Sequence, residues 1–207
     1  MVIARGAGPF IFGPLAAMLP FAALALLLRD PRWSYASIPL GLAFLFSLVF
    51  FRDPYREKGA GIVSPADGRV LVADADRGRL VVFMGVLDVH VNRAPLDGRV
   101  ASVVHTRGGH APAYAERAAR NERVETVLET RLGRVTMTQV AGVFARRIVP
   151  YVRRGDAVRK GQRIGMIRFG SRVELVLPPG VRFTVQAGDR VRAGETTVAE
   201  VVDAPRP

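Results

Sequence analysis

The sequence contains no cysteine and only three histidines among its 207 residues. The absence of cysteine excludes disulfides, thiolate metal sites and cysteine nucleophiles. Aromatic residues make up only 8% of the chain. No stripe of alternating aromatic and basic side chains is present, which argues against binding of nucleic acid. Acidic residues are also few, 18 against 30 basic ones, so the net charge is +12 and a negatively charged partner is expected.

The N-terminal quarter of the chain is apolar. Residues 9–28 carry no charge over 20 positions, and a helix of that length would be about 30 Å long, the thickness of a bilayer core. A second apolar run covers residues 35–51. We therefore predict that residues 1–52 form a hydrophobic hairpin of two helices that spans or re-enters a membrane. A cleaved signal peptide and a hairpin buried in a soluble core are the alternatives.

Basic residues follow the second apolar run, at Arg52, Arg56 and Lys58. Positively charged flanks of membrane helices stay on the cytoplasmic side. We therefore expect the chain in the cell membrane, with a second domain of residues 53–207 on the cytoplasmic side. Membrane lipids with anionic head groups are then the expected partners of the basic charge.

Residues from Ile62 onward alternate between short β-rich runs and turns that contain Gly, Pro and Asp. This pattern is typical of a domain made mainly of β-strands. The predicted strands cover residues 69–73, 80–84, 99–105, 135–140, 163–169 and 172–177. One short helix is predicted at residues 112–123, where the apolar positions are mostly alanine. A helix so weakly anchored suggests a lid.

Two sequence patterns occur twice in this domain. Residues 65–70 and 95–100 share the pattern Pro-x-Asp-Gly-Arg-Val. Residues 152–161 and 185–194 are similar to each other, and each segment contains a Gly-Asp pair. Asp-Gly favours a tight turn, and the valine that follows favours a strand. We interpret the domain as a repeated β module similar to the barrel-sandwich architecture of biotinyl and lipoyl carrier domains.

Three residues in this domain suggest chemistry at a serine. Asp67, His90 and Ser171 are one possible Asp–His–Ser set, in which histidine takes the hydroxyl proton and aspartate orients the imidazole. Each of them alone also has an ordinary structural interpretation, as a turn residue or a satisfied polar group. There is no Gly-x-Ser-x-Gly elbow, because Val173 stands where the second glycine would be.

Several short motifs occur in one order between residues 51 and 177. They are Phe51-Arg-Asp-Pro54, Ser64-Pro-Ala-Asp-Gly68, Asp88-Val-His-Val-Asn-Arg93, Asn121-Glu-Arg123, Gln139-Val-Ala-Gly142 with Ala145-Arg-Arg-Ile148, and Phe169-Gly-Ser-Arg172. In this order they resemble phosphatidylserine decarboxylase, in particular the short bacterial and archaeal-type form of that family. The family often has a second histidine at the position of Arg93, so only His90 is carried over as a site residue.

The resemblance implies a proenzyme that cuts itself between Gly170 and Ser171 and converts Ser171 into a covalent pyruvoyl cofactor. The Ser171 hydroxyl would attack the Gly170 carbonyl, and elimination from the resulting ester would release the upstream chain. His90, oriented by Asp67, is the expected base. Residues 1–170 and 171–207 would remain together as a heterodimer, which could dimerise further.

The mature enzyme implied by the resemblance decarboxylates phosphatidylserine to phosphatidylethanolamine and CO₂. The pyruvoyl group would serve as the electron sink, so no other cofactor and no metal is expected. Arg93, Arg146 and Arg147 are the candidates for contact with the lipid phosphate. Two other functions remain open at this point: a membrane-anchored serine hydrolase that uses Asp67, His90 and Ser171, and a non-catalytic barrel-sandwich adaptor.

Overall fold

A computed structural model describes residues 2–109, 111–112, 116–142, 147–168 and 171–202 of the chain. The chain divides into two compact units, Met1–Pro54 and Tyr55–Pro207. The first is mainly helical and the second is made mainly of β-strands, as predicted. Each unit is described by itself.

The first unit is a hairpin of two apolar helices. Strand β1 (Val2–Ile3) precedes helix α1 (Gly8–Leu27), and helix α2 (Arg32–Phe50) precedes strand β2 (Arg52–Asp53), which pairs with β1. Asp30 and Arg32 form an ion pair of 2.8 Å in the turn between the helices.

Both helices are long and apolar enough to cross a membrane, and they are consistent with membrane association. Only 6% and 11% of their apolar windows are buried. Leucines such as Leu19, Leu26 and Leu42 are 67%, 80% and 63% exposed. A hairpin buried in a soluble core would cover these side chains, so their exposure argues against that alternative.

Antiparallel strands in three sheets form the second unit. They are β3 (Ile62–Val63), β4 (Gly68–Asp74), β5 (Arg79–Met84), β6 (Val91–Arg93), β7 (Gly98–Thr106), β8 (Arg123–Thr130), β9 (Gly133–Ala141), β10 (Ile148–Pro150), β11 (Ala157–Val158), β12 (Arg163–Ile167), β13 (Ser171–Val176), β14 (Val181–Phe183), β15 (Arg190–Val191) and β16 (Thr197–Val201). The largest sheet has the order β11-β7-β8-β9-β13-β5-β4-β15. The smaller sheets have the orders β10-β12-β6 and β14-β16-β3.

The two sequence repeats form equivalent contacts. The Asp67 carboxylate accepts a hydrogen bond from the backbone N–H of Ala193 at 2.8 Å. The Asp97 carboxylate accepts a hydrogen bond from the backbone N–H of Lys160 at 2.7 Å. Strand β15 pairs with β4 in the same way that β11 pairs with β7. In each repeat, a loop from later in the chain donates a backbone hydrogen bond to the aspartate of an Asp-Gly turn. The predicted repeated β module is therefore confirmed.

The core of the second unit lies along the middle of the largest sheet. Leu80, Leu128, Met137, Val173 and Leu175 are fully buried there. Their alternation along the strands follows from the period of two in a β-strand, which sends every second side chain to the same face. Each such side chain stabilises the fold by about 1.5–3 kcal/mol through its removal from water.

The segment predicted as a helix at residues 112–123 differs from that prediction. Its described part contains a 3₁₀ helix of five residues, Glu116–Arg120, and residues 113–115 lie outside the described residues, as does much of the suggested lid. Strand β8 begins directly afterwards and was not predicted. Its alternating buried residues, which give the period-two signal of a strand, are Val124, Thr126 and Leu128.

Close approach of β4 to β5 requires a glycine at position 68. Gly68 and Gly188 both have positive φ, 140° and 100°, so an alanine at either position costs about 1–2 kcal/mol in backbone strain. A Cβ atom on Gly68 would also collide with the carbonyl oxygen of Phe83, whereas Gly188 has no atom within 4 Å of that position.

We expect Gly68→Ala to lower the free energy of unfolding by about 1–3 kcal/mol more than Gly188→Ala does. Thermal unfolding of the two variants in the same detergent, followed by circular dichroism, measures this difference. Equal losses of stability would contradict it, because they would mean that β4 and β5 separate at no cost.

Candidate active site

Ser171 is the first residue of β13 and is fully buried. It lies opposite Ala141 of β9 on one side and Met84 of β5 on the other, so the sheet fixes its backbone from both sides. Its hydroxyl oxygen has no hydrogen-bond partner in the part of the chain that the structure describes. A buried hydroxyl without a partner costs about 1–3 kcal/mol and calls for a functional explanation. Gly170, its predicted partner in cleavage, lies outside the described residues.

His90 precedes β6 and is also buried, with 1% of its surface exposed. Its Nδ1 lies 2.8 Å from the backbone carbonyl oxygen of Asp88. A carbonyl oxygen can only accept a hydrogen bond, so Nδ1 carries a proton and Nε2 is the basic nitrogen of the neutral ring. The His90 carbonyl accepts a hydrogen bond from the N–H of Ile167 at 3.2 Å. Ile167 is four residues before Ser171, a span of at most about 14 Å.

The carboxylate of Asp67 has partners other than His90. Its Oδ2 lies 2.7 Å from the Arg56 guanidinium, and its Oδ1 accepts the N–H of Ala193. Burial raises the pKa of Asp67 above its usual value, and the Ala193 N–H and Arg56 oppose that shift. Asp67 was expected to orient His90. In the structure, the backbone carbonyl of Asp88 contacts His90 Nδ1 instead. A catalytic role for Asp67 stays a prediction.

Arg56 links two acids in the same corner of the domain. Its side chain is only 9% exposed and bonds to Asp67 and, at 2.9 Å, to Glu195. In the sequence, Arg56 was notable only as a basic flank of the membrane hairpin. Because the sequence distance between Arg56 and Glu195 is 139 residues, no local pattern could have indicated this pair.

Buried amides contact the strands that pair with Ser171, and those of Gln139 and Asn92 lie on the same face of the sheet as the Ser171 side chain. Gln139 donates to Asn92 at 2.7 Å, and Asn92 contacts the Met84 sulfur at 3.5 Å. Asn121 donates to the carbonyl oxygen of Ala141, the strand partner of Ser171, at 2.7 Å. All three amides are fully buried or nearly so. The three amides belong to the sequence motifs, but no role was predicted for them. Polar residues between apolar ones in a strand can indicate a buried hydrogen-bond network.

Asn121 also fixes the loop before the 3₁₀ helix. Its Oδ1 accepts the Ala111 N–H at 2.8 Å, and its Nδ2 donates to the Ala111 carbonyl at 2.7 Å. Together with the bond to Ala141, these contacts hold residues 111–112 close to the strand that pairs with Ser171. Asn121 is therefore a positioning residue for this side of the site.

The arginines expected at a lipid phosphate lie in different places. Arg93 is 6% exposed and donates to the Gly161 carbonyl at 3.0 Å, near the first residue of β12. Arg147 is exposed and precedes β10, whose first residue pairs with the last residue of β12. The two therefore lie at opposite ends of the same small sheet. Arg146 lies outside the described residues.

Arg168 joins Arg147 at the same end of this sheet and is three residues before Ser171 in the chain. The Arg168 N–H donates to the Arg147 carbonyl at 3.3 Å. Burial and the positive charge of Arg147 lower the pKa of Arg168 below its usual value. Two cations close together at a site are typical of an anion-binding function. Sequence analysis did not single out Arg168.

The described residues contain no group of three His, Asp or Glu side chains that could hold a metal ion. The surroundings of Ser171 fit a cofactor made from its own atoms. The side chain is small, shielded from water and without a competing hydrogen bond among the described residues. The residue also begins a strand, so a chain break before it would leave β13 paired on both sides.

Comparisons with known proteins agree with these observations. A model of the family described as phosphatidylserine decarboxylase matches residues 43–199. The chain is 45% identical to a phosphatidylserine decarboxylase proenzyme of Streptomyces coelicolor, over 95% of this chain and 91% of that one. It is 41% identical to a protein of Methanosarcina acetivorans named as an archaetidylserine decarboxylase proenzyme, over 97% of each chain. A similarly named Archaeoglobus fulgidus protein is 46% identical, over 89% of this chain and 91% of that one.

The repeat provides a matched test of what Asp67 contributes. Asparagine at position 67 or 97 keeps an oxygen that can accept the backbone N–H, but Asp67→Asn also removes one of the two carboxylates that neutralise the buried Arg56. We expect Asp67→Asn to lower the free energy of unfolding by about 1–3 kcal/mol and Asp97→Asn by less than about 0.5 kcal/mol. Denaturant titration of both variants measures the difference. Equal effects would contradict a stabilising role for the Arg56–Asp67 pair.

Proposed function

The chain belongs to the phosphatidylserine decarboxylase family, and we propose that it is a proenzyme that makes a pyruvoyl group from Ser171 and uses it to decarboxylate phosphatidylserine. The observation that carries the proposal is the buried Ser171 hydroxyl, which has no hydrogen-bond partner among the described residues. The motif around it agrees with this assignment, and the family match extends over residues 43–199. The product of the second reaction is phosphatidylethanolamine.

Maturation begins with attack of the Ser171 hydroxyl oxygen on the carbonyl carbon of Gly170. The peptide bond is replaced by an ester, and the amino group of Ser171 is released. A base then removes the Cα proton of Ser171, the ester C–O bond breaks, and residues 1–170 leave with a carboxylate end. The dehydroalanine that remains reacts with water and loses ammonia, which leaves the pyruvoyl group at the new N-terminus of residues 171–207.

His90 is the proposed base for this elimination. The Asp88 carbonyl holds the proton of the neutral ring on Nδ1, so that Nε2 can accept a proton. A serine hydrolase of the Asp–His–Ser type would instead need a carboxylate at Nδ1. Asp67 bonds to Arg56 and Ala193. No observation therefore favours the hydrolase, and membership of an enzyme family argues against a non-catalytic adaptor.

The sheets support a stable heterodimer after the cut. Strand β13 pairs with β5 and β9, β15 pairs with β4, and β16 pairs with β3. In every case the partner strand belongs to residues 1–170. Residues 171–207 therefore stay bound through backbone hydrogen bonds and the shared core, and cleavage need not release the cofactor from its surroundings.

For decarboxylation, the pyruvoyl ketone supplies an electron sink for the carbanion left when CO₂ departs. The chain's own residues exclude water, because Ser171 and His90 are buried. They also orient the head group: we assign the lipid phosphate to Arg147 and Arg168, at the end of β12 that precedes Ser171 in the chain, with Arg146 as a further candidate. The serine head group is common to ester and ether lipids, and the names of the relatives include both phosphatidylserine and archaetidylserine.

The acyl chains of such a substrate remain in a bilayer, so the enzyme must work at a membrane surface. The apolar helices α1 and α2 are suited to hold it there. We infer that the chain lies in the cell membrane with its catalytic domain on the cytoplasmic side, because Arg52 and Lys58 follow α2.

We expect Ser171→Ala to abolish both cleavage and decarboxylation, because the attacking oxygen and the source of the pyruvoyl group are lost. Intact mass measurement under denaturing conditions should give one chain of 22.5 kDa for this variant. The unchanged protein should give two chains, the smaller starting at residue 171 with no free amino group. Ser102→Ala, in strand β7, is the control and should be cut normally. An uncut wild-type chain with decarboxylase activity would contradict the pyruvoyl mechanism.

Substitution of His90 tests the elimination step separately from the attack of the Ser171 hydroxyl on Gly170. If His90 is the base for elimination, His90→Ala should accumulate the ester between Gly170 and Ser171. Hydroxylamine should then cut the folded variant at this bond, whereas buffer alone should not. His105→Ala, which removes an exposed histidine paired with Glu122, is the control. A folded His90→Ala variant that matures at the normal rate would exclude His90 from this step.

A further inference from the structure

The segment between Met84 and His90 joins two parts of the candidate active site. Met84 is the last residue of β5 and lies opposite Ser171, whereas His90 directly precedes β6. Between them the chain forms a tight turn over residues 85–88. The position of the imidazole therefore depends in part on how firmly this turn is held.

Two hydrogen bonds close the turn. The N–H of Asp88 donates to the Gly85 carbonyl at 3.0 Å, and the N–H of Gly85 donates to Oδ2 of the Asp88 carboxylate at 2.8 Å. Glycine leaves room for this carboxylate, because a Cβ atom at position 85 would lie only 3.3 Å from Oδ2. The Asp88 side chain therefore bonds the last residue of the turn to the first.

Packing contributes little to the stability of this turn. Its two middle residues, Val86 and Leu87, are 50% and 71% exposed, and Gly85 has no side chain. Arg190 lies 3.6 Å from Oδ1 of Asp88, but its side chain is 75% exposed, and an ion pair of that kind stabilises little. The hydrogen bonds of Asp88 therefore carry more of the stability of the turn than they would in a buried one.

The backbone carbonyl of the same aspartate contacts the imidazole. The carbonyl oxygen of Asp88 lies 2.8 Å from His90 Nδ1, so the proton of the neutral ring is on Nδ1 and Nε2 is the basic nitrogen. A hydrogen bond selects one tautomer only while donor and acceptor keep their distance and angle. The Asp88 side chain holds the turn, and the turn holds this carbonyl.

Two other turns of the second unit have the same pair of hydrogen bonds. The Asp156 carboxylate accepts the Arg153 N–H at 3.0 Å, and the Asp189 carboxylate accepts the Gln186 N–H at 2.9 Å. In both turns the N–H of the aspartate donates to the carbonyl three residues before it. A glycine with positive φ precedes each of these aspartates, whereas Leu87 precedes Asp88, so the hydrogen bonds and not the backbone conformation are shared.

In all three turns the carbonyl of the aspartate accepts a further hydrogen bond. The Asp156 carbonyl accepts the N–H of Val100 in β7 at 2.8 Å, and the Asp189 carbonyl accepts the N–H of Val70 in β4 at 2.9 Å. These two turns thus hold strands of the largest sheet. In the turn at residues 85–88, the group at the carbonyl is the imidazole of His90.

We propose that Asp88 is a positioning residue: its carboxylate holds the turn at residues 85–88, so that its carbonyl keeps the proton of His90 on Nδ1. The proposal rests on the role of His90 as the base for elimination in the proposed function. Asp88 acts through His90 and takes no proton itself. This arrangement differs from an Asp–His–Ser set, in which the carboxylate contacts the imidazole directly.

The first measurement is the rate at which the newly synthesised full chain cuts itself in detergent, followed by intact mass. We expect Asp88→Ala to slow cleavage about tenfold, the effect of about one lost hydrogen bond. Asp88→Asn keeps an oxygen for the Gly85 N–H and should slow cleavage less than about twofold. The matched control, Asp156→Ala, removes the corresponding hydrogen bond from a turn that does not contact His90 and should also slow cleavage less than about twofold.

The second measurement detects the tautomer, in chains that also carry Ser171→Ala and so stay uncut. NMR of protein with isotope-labelled histidine shows which ring nitrogen carries the proton, and His90→Ala identifies the His90 signals among those of the three histidines. We expect the proton on Nδ1 in the Ser171→Ala chain, with or without Asp88→Asn. With Asp88→Ala, both tautomers should be populated. Asp88 is partly exposed, so its variants should fold, and circular dichroism checks this.

Normal cleavage by Asp88→Ala, or a proton that stays on Nδ1 in that variant, would overturn the proposal. Equal slowing by Asp88→Ala and Asp156→Ala would also overturn it, because the effect would then come from general stability. Equal slowing by Asp88→Ala and Asp88→Asn would do the same, because charge would then be the cause. If the unchanged chain does not cut itself, the proposed function fails, whereas the tautomer measurement still decides whether Asp88 positions His90.

Discussion

The position of β13 between β5 and β9 is the constraint on which the rest of the molecule depends. A strand paired on both sides has no freedom to slide, so Ser171 is held at one level of the sheet and its hydroxyl is kept from water. The same pairing keeps residues 171–207 attached after a cut before Ser171. One set of backbone hydrogen bonds thus serves the reactivity of the proenzyme and the integrity of the mature heterodimer that we propose.

Buried polar groups surround this strand, and each has a partner that limits how it can act. The Asp88 carbonyl determines which nitrogen of His90 is basic. Asn121 bonds the neighbouring loop to Ala141, and Gln139 bonds to Asn92 on the face of the sheet that carries the Ser171 side chain. Because an unpaired polar group in a low-dielectric interior is costly, such networks favour one arrangement of the site. Among the described residues, the Ser171 hydroxyl and Gln139 Oε1 are buried polar atoms without a hydrogen-bond partner, and the Ser171 hydroxyl is the proposed reactive atom.

Charge is divided between two regions of the second unit. Arg147 and Arg168 lie near the end of β12 that precedes Ser171 in the chain, whereas Arg93 and Arg163 lie at the other end.

The sequence alone was sufficient for features that depend on local pattern or on motif order. The length of the uncharged apolar runs predicted the helical hairpin. Asp-Gly turns and the alternation of apolar residues predicted most of the strands. The order of the motifs along the chain predicted the family. Strand β8 was not among the predicted strands, although Val124, Thr126 and Leu128 carry the period of two. Only the tertiary structure decided which polar groups meet: Arg56 with Asp67 and Glu195, His90 with the Asp88 carbonyl, and Arg147 with Arg168 rather than Arg93. The contact between Arg56 and Glu195 joins residues 139 positions apart. Strand register, which depends on how the whole core packs, determines such contacts.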